Sequence, residues 1–285
     1  MSRRIDLSRI APPEVVESLA FETIYQEMKD AFRRLHPQWT ASLESDPVVK
    51  LLEVAAYREM LVRARVNDAA RAVMLAYAGG SDLEHLAVLL GVTRLEGETD
   101  TRLRTRTQLS LEGFSTAGPA LSYVFHALSA SQEVRDVTVS SPEPGRVRVV
   151  VLAEPSATHL DGVPDAALIR AVDAKVSAED VRPLTDQVSV VPAQVILYSV
   201  RADLQVASGP DAQVVLTSAQ AALDAYVQQQ FGLGRDVTVS GLHAALHQAG
   251  VTRVDLIEPT ASKTIEPHQA ARCSGTTVRI AGVMT

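Results

Sequence analysis

Apolar and polar positions follow a helical period through roughly the first 130 residues and then switch to the alternation of strands. In residues 20–35, Phe21, Ile24, Tyr25, Met28, Phe32 and Leu35 share one face, which predicts an amphipathic helix. His36–Pro37 ends it, because the residue before a proline is pushed out of the α region. A longer pattern follows in "ESDPVVKLLEVAAYREMLVRARVNDAARAVMLAYAGG". Asp46 is placed to cap it, and Pro47 sits at the first helical position, where its missing N–H costs nothing. Val48, Leu51, Leu52, Ala55, Val62, Val66, Ala69, Val73 and Tyr77 form the apolar stripe, with Arg58, Arg63, Arg65 and Arg71 mostly off it. Gly79–Gly80 are read as the terminator, giving a helix of roughly 45–50 Å at about 1.5 Å per residue. Ser81 and Glu84 read as a capping box for a second helix, Asp82 to Leu90, closed by Gly91. Two more helices are expected in "ETDTRLRTRTQLSLEG" and "AGPALSYVFHALSA", the latter opened by a turn at Ser115–Gly118.

From about Ser131 the pattern alternates. "EVRDVTVSSP" and "RVRVVVLAE" read as strands joined at "SPEPG", followed by the helix "DAALIRAVDAKVSAED" and the strand "TDQVSVV". A second group follows: the strand "VILYSVRADLQVA", the helix "TSAQAALDAYVQQQF", the short helix "GLHAALHQAG" capped by Ser240, the strand "VTRVDLIEP" and a last short strand near the C-terminus. The two groups are candidates for related copies. The six residues "RDVTVS" occur at 135–140 and again at 235–240, and are taken as coincidence, not a repeat period. The fold class expected is α+β: an N-terminal helical region with one long helix, then two small mixed α/β lobes. The divisions expected are a helical domain at 1–95, a helical connector at 96–131, a first lobe at 132–194, and a second lobe with the tail at 195–285.

Composition narrows the function. Hydrophobic residues make up 46%, enough for sizeable cores, while aromatics are only 4%, which speaks against a stacking platform for single-stranded nucleic acid. A net charge of −7 disfavours broad binding to a phosphate backbone. Cys273 is the only cysteine, so no internal disulfide or cysteine metal site is expected. The N-terminus does not read as a secretory signal and no run of about 18 or more apolar residues occurs, so a soluble protein made in a cytoplasm is expected.

No motif assembles an active site. "GFSTAGP" at 113–119 lacks the glycine of a nucleophile elbow and the lysine of a phosphate loop. His243 and His247 have the spacing of a metal pair on a helix, but Ala244 stands where a zinc protease needs glutamate. "GLGRDV" at 232–237 lacks the third glycine of a dinucleotide loop. No catalytic, cofactor-binding or metal-ligating residue is assigned, and no cofactor is expected. "TRLRTRT" places Arg102 and Arg106 on one helical face with Arg104 across from them, a candidate docking patch set against a solvated face. The long helix exceeds what one small core needs, and its arginines and alanines suit close approach and hydrogen bonds to a partner's carboxylates.

The segment from Glu44 to Val92 resembles the baseplate J-like proteins of contractile-tailed phages. The likeness continues through "EGFSTAGPALSYVFHALSASQEVRDVTVSSPEPGRVRVVVL", "DVRPLTDQVSVVPA" and "LGRDVTVSGLHAALHQAGV", and fades beyond Pro259. The resemblance implies a structural, non-enzymatic protein of the virion tail baseplate. Copies would pair within a wedge and link wedges into a six-fold ring around the central spike hub. They would bind other wedge proteins and a sheath-initiating protein, with no cofactor. The motif positions carried over are Glu44, Asp46, Pro47, Tyr57, Arg58, Glu59, Arg65 and Asn67, with Asp46 and Pro47 in capping and the rest as polar contacts. The interface candidates are therefore Tyr57, Arg58, Glu59, Arg65 and Asn67, with Arg102, Arg104 and Arg106. The equivalent part of a phage-tail-like bacteriocin or another contractile injection machine is the nearest alternative. A nucleic-acid module using Arg102, Arg104 and Arg106, and a hydrolase using Ser115 or His243, are more distant ones.

Overall fold

The computed structural model describes residues 5–40, 43–115, 118–209 and 211–284. The chain divides into two compact units, Met1–Arg94 with Glu98–Thr107, and Leu95–Gly97 with Gln108–Thr285. The division falls inside a helix, so the connector expected at 96–131 is shared between the units.

The first unit is helical: α1 (Phe21–Leu35), α2 (Pro47–Ala72), α3 (Gly80–Val88) and the first turns of α4 (Asp100–Gly113). Asp46 accepts a 2.7 Å hydrogen bond from the Val48 amide, and Pro47 follows at the first position. The helix stops at Ala72, earlier than the two glycines predict; its 26 residues span about 39 Å. Tertiary bonds hold the segment that follows: Arg104 donates to the carbonyls of Leu75 (2.8 Å) and Ala78 (2.5 Å), and the Tyr77 hydroxyl donates to the Ile10 carbonyl. Gly79 instead precedes α3, and Gly80, at φ +53°, is its first residue.

The expected Ser81–Glu84 capping box does not form. Asp100, from the start of α4, accepts from the Gly80 amide at 2.8 Å, and Glu84 pairs with Arg94 at 2.6 Å. Arg94 also reaches Asp100 at 2.6 Å and the Glu98 carbonyl at 2.7 Å, so one guanidinium ties the starts of two helices together. Anionic side chains at helix N-termini are the favourable placement.

The apolar stripe of α2 also lies differently. Val49, Ala56 and Asn67 are its buried positions, on the side that packs against α1, whereas Leu51, Val62, Val66 and Val73 of the predicted stripe are exposed. The helix is apolar on two sides, and the period alone does not say which side is covered.

The second unit holds two lobes. In the first, α5 (Ala120–Leu128) precedes a hairpin of β1 (Val134–Glu143) and β2 (Arg146–Ala153). Then α6 (Ala166–Val176) crosses over to β3 (Gln187–Pro192), which runs parallel to β2. The run "VVVLA" in β2 lacks alternation because both faces are covered. Val149, Val151 and Ala153 pack on α5 and α6, while Val150 and Leu152 pack on Phe231 and Ala270 of the other lobe.

In the second lobe β4 (Gln194–Ala207) is central, antiparallel to β5 (Val251–Glu258) and parallel to β6 (Gln269–Met284). Tyr198, Val200, Ala202, Leu204 and Val206 alternate inward onto α7 (Ala212–Gln230) and α8 (Val239–Leu246). The expected short last strand is in fact 16 residues long and pairs along all of β4. Its two bulges restore the inward alternation that defeats a reading at strict period two. Thr238, not Ser240, caps α8, accepting from the Gly241 amide at 3.1 Å. The lobes differ in connectivity: the antiparallel neighbour of the central strand precedes it in the first sheet and follows it in the second. They are not copies of one topology.

Candidate functional site

The outer side of α2 is the most distinctive surface of the first unit. Leu51 (68% exposed), Val54 (60%), Leu61 and Val62 (61%) recur at helical spacing with Val66, and Tyr57 lies beside them. Arg58 and Arg65 fall on the same side, both exposed and both without a hydrogen-bond or ion-pair partner among the described residues. Large apolar side chains concentrated on one exposed helix face make it a candidate interaction surface, unlike the scattered ones normal on any protein. An arginine with an unoccupied fork is the residue best suited to a partner's carboxylate.

The other candidates work within the chain. The Asn67 side chain is buried; its Nδ2 donates to the Glu17 carbonyl at 2.9 Å and its Oδ1 accepts from the Glu17 amide at 3.0 Å. This fastens the segment before α1 onto α2. Glu59 pairs with Arg63, which also reaches Glu17 at 3.4 Å. Arg106 is 4% exposed and bonds Glu98 at 2.7 Å, with Arg102 on the same carboxylate at 3.4 Å. Arg104 is committed to the carbonyls of Leu75 and Ala78 in the segment after α2. The three arginines of "TRLRTRT" thus serve the interior of the first unit, which takes away the patch a nucleic-acid module would use. The Gly80 amide and then Arg94 hold the Asp100 carboxyl below the ordinary range, so the cluster stays charged near neutrality.

Sequence reasoning missed the junction of the two lobes. Arg135 donates to the carbonyls of Gln228 (3.0 Å) and Phe231 (2.9 Å) at the end of α7, and its guanidinium lies 4.7 Å from the Phe231 ring centroid. Asp136 accepts from the Leu233 amide at 3.0 Å. Arg235 donates to the Gln229 carbonyl at 2.6 Å, and Asp236 accepts from the Ile265 amide at 2.8 Å. The two "RDVTVS" copies therefore do similar work: each Arg satisfies orphan carbonyls of α7, and each Asp satisfies a neighbouring loop amide. The signal was present in the duplicated dipeptide.

The catalytic candidates gain nothing from the fold. In "GFSTAGP", Thr116 and Ala117 lie outside the described residues. His247 follows the end of α8 as its C-cap, so it does not continue the helical face of His243. Ser156, His159 and Asp165 line up, with Ser156 Oγ 3.3 Å from His159 Nδ1 and His159 Nε2 3.6 Å from Asp165. Ser156 Oγ, however, accepts from the His159 amide and Asp165 caps α6, so the three build a turn and a helix start. Among the described residues no cluster of His, Cys, Asp or Glu could hold a metal ion, and no helix is long and apolar enough to cross a membrane.

Three family profiles match in chain order: the baseplate J-like N-terminal domain over residues 44–99, the central domain over 115–192 and the C-terminal domain over 198–280. The chain belongs to the baseplate J-like family. It is 39% identical to baseplate protein J of Escherichia phage P2 over 292 residues, covering 95% of each chain. Membership gives it a structural role in the phage tail baseplate. The N-terminal profile begins just before the cap of α2 and runs to the start of α4, so it encloses the whole exposed face described above.

Proposed function

We propose that this baseplate protein self-associates through the outer face of α2, pairing within a wedge and linking wedges into a six-fold ring around the central spike hub. Tyr57, Arg58 and Arg65 contribute to that contact together with Leu51, Val54, Leu61, Val62 and Val66. Other wedge proteins and a sheath-initiating protein are its further partners, and it turns over no substrate. The observation that supports this reading is the unpartnered apolar and arginine face of α2, lying within the N-terminal family domain.

Sedimentation velocity of the full chain over a wide concentration range tests it. The unsubstituted protein associates, and Leu61→Asp with Val62→Asp weakens that association by about tenfold or more in a chain that stays folded, because two carboxylates in a closing apolar seam carry a desolvation cost. A chain that stays monomeric throughout, alone and mixed with its wedge partners, removes the proposal.

A further inference from the structure

Two unexplained features of the second unit are complementary. The first is a knob. Between buried His159 and buried Gly162 the chain turns outward through Leu160, which is 75% exposed, and Asp161. Asp161 is the one non-glycine residue at positive φ (54°) among the described residues. Such a conformation persists where the surroundings enforce it. Next to it Gly162 packs tightly: at φ +85°, a Cβ on it would meet the Phe231 ring at 2.7 Å and the Ala153 carbonyl oxygen at 3.0 Å. The knob is pinned from below, and its carboxylate has no hydrogen-bond or ion-pair partner among the described residues.

The second feature is a hollow of about 340 Å³ between β2 and β3 of the first sheet and the residues Gln194 and His268 of the second lobe. Val150, Val191 and Pro192 form an apolar floor, and Arg148 and His268 stand at the rim. Neither rim side chain has a hydrogen-bond or ion-pair partner among the described residues. The volume falls within the roughly 300–1,000 Å³ of built binding pockets. Its chemistry asks for an apolar side chain followed directly by a carboxylate.

We propose that Leu160 and Asp161 of one copy seat in this hollow on a second copy, with Leu160 on the apolar floor and Asp161 between Arg148 and His268. Charge complementarity selects this occupant: the rim is cationic on a chain of net charge −7, and the knob pairs an exposed leucine with an uncommitted aspartate. Because knob and hollow are different patches, the contact is head-to-tail, the kind that closes a ring when successive rotations return to the start. The inference rests on the self-association proposed above and adds a second contact to it, separate from α2.

A charge exchange in the full chain tests the contact by sedimentation velocity. Asp161→Lys and Arg148→Glu each weaken assembly beyond the α2-mediated pair by about tenfold or more, since like charges then face each other. Both changes in one chain restore it, because every exchanged knob meets an exchanged hollow. Leu160→Ser weakens assembly likewise and leaves Asp161 in place, should the lysine disturb the turn. If the single variants assemble like the parent, or the combined variant fails to recover, the contact is overturned. The α2 face is then still judged by its own variant, Leu61→Asp with Val62→Asp. A parent chain that never associates overturns both.

Discussion

Arg106 and Glu98 meet 2.7 Å apart with 4% and 0% of their side chains exposed, and Arg102 approaches the same carboxylate at 3.4 Å. Two guanidinium groups share one buried anion, and Arg106 also donates to the Thr93 carbonyl at 3.2 Å. The desolvation cost of such a group is offset only while every member is present. What it fixes is geometry: the start of α4 is held against the chain that leaves α3.

Removing one member leaves a buried charge uncompensated. Glu98→Ala is expected to destabilise the first unit by about 3–5 kcal/mol, while Glu98→Leu with Arg106→Met costs less because the most buried cation leaves with its partner and only the partly exposed Arg102 loses a contact. Trp39, the only tryptophan, lies in the first unit, so its fluorescence during urea unfolding reads that unit separately from the second. Equal losses for the single and double variants would count against the shared-charge account.

Asn67 makes a prediction about local order. Asn67→Ala removes both bonds to the main chain of Glu17 and costs about 1–3 kcal/mol, since polar backbone atoms lose a partner. Hydrogen exchange at the Glu17 amide should rise, while exchange in the middle of α7, in the other unit, stays unchanged. Asn67→Asp keeps the acceptor and loses the donor, and should fall between the parent and the alanine variant.

Burial pushes the His126 imidazole below its ordinary pKa, against a smaller opposing effect of the Gly113 carbonyl. The unfolded chain, near about 6.5, therefore takes up its proton first as the pH falls. The stability contributed by neutral His126 is complete above that value and is lost toward the lower folded-state pKa. The melting temperature of the second unit should drop as pH falls through this window, and His126→Gln should reduce the drop. An NMR titration placing His126 at or above the unfolded value would refute the sign.

Much of the fold was legible because local signals agreed. Proline after His36, Asp46–Pro47, the "SPEPG" turn and the unbroken "VVVLA" run each had one reading, and the elements formed there. The errors cluster where long-range contacts choose between local options. Gly79–Gly80 could stop a helix, but the helix ends seven residues earlier, at Ala72, and Arg104 from α4 holds the carbonyls of Leu75 and Ala78 in the segment that follows. Ser81 could cap, but Asp100 arrives from 20 residues away with a stronger acceptor. Arg102 and Arg106 face one way in any helical wheel, and whether that way is solvent depends on Glu98. The α2 face was visible as composition, yet its direction was not, because a helix apolar on two sides gives the same period from either.

The duplicated Arg–Asp dipeptide yields the sharpest test of the lobe junction. Arg135 reaches two carbonyls through different nitrogens and stacks on Phe231, so it uses the planar fork and not charge alone. Lysine carries the charge but offers a single ammonium on a flexible stem. Arg135→Lys is therefore expected to cost about 1–3 kcal/mol, nearly as much as Arg135→Ala, because at least one carbonyl is left without its donor. Arg235, with a single bond to Gln229 and an exposed setting, should tolerate lysine with a change of roughly 0.5 kcal/mol or less. Thermal unfolding of the three single variants, followed by backbone circular dichroism, separates the cases. If Arg135→Lys proves as mild as Arg235→Lys, the junction is held by its apolar contacts among Val150, Leu152, Phe231 and Ala270, and the guanidinium is dispensable.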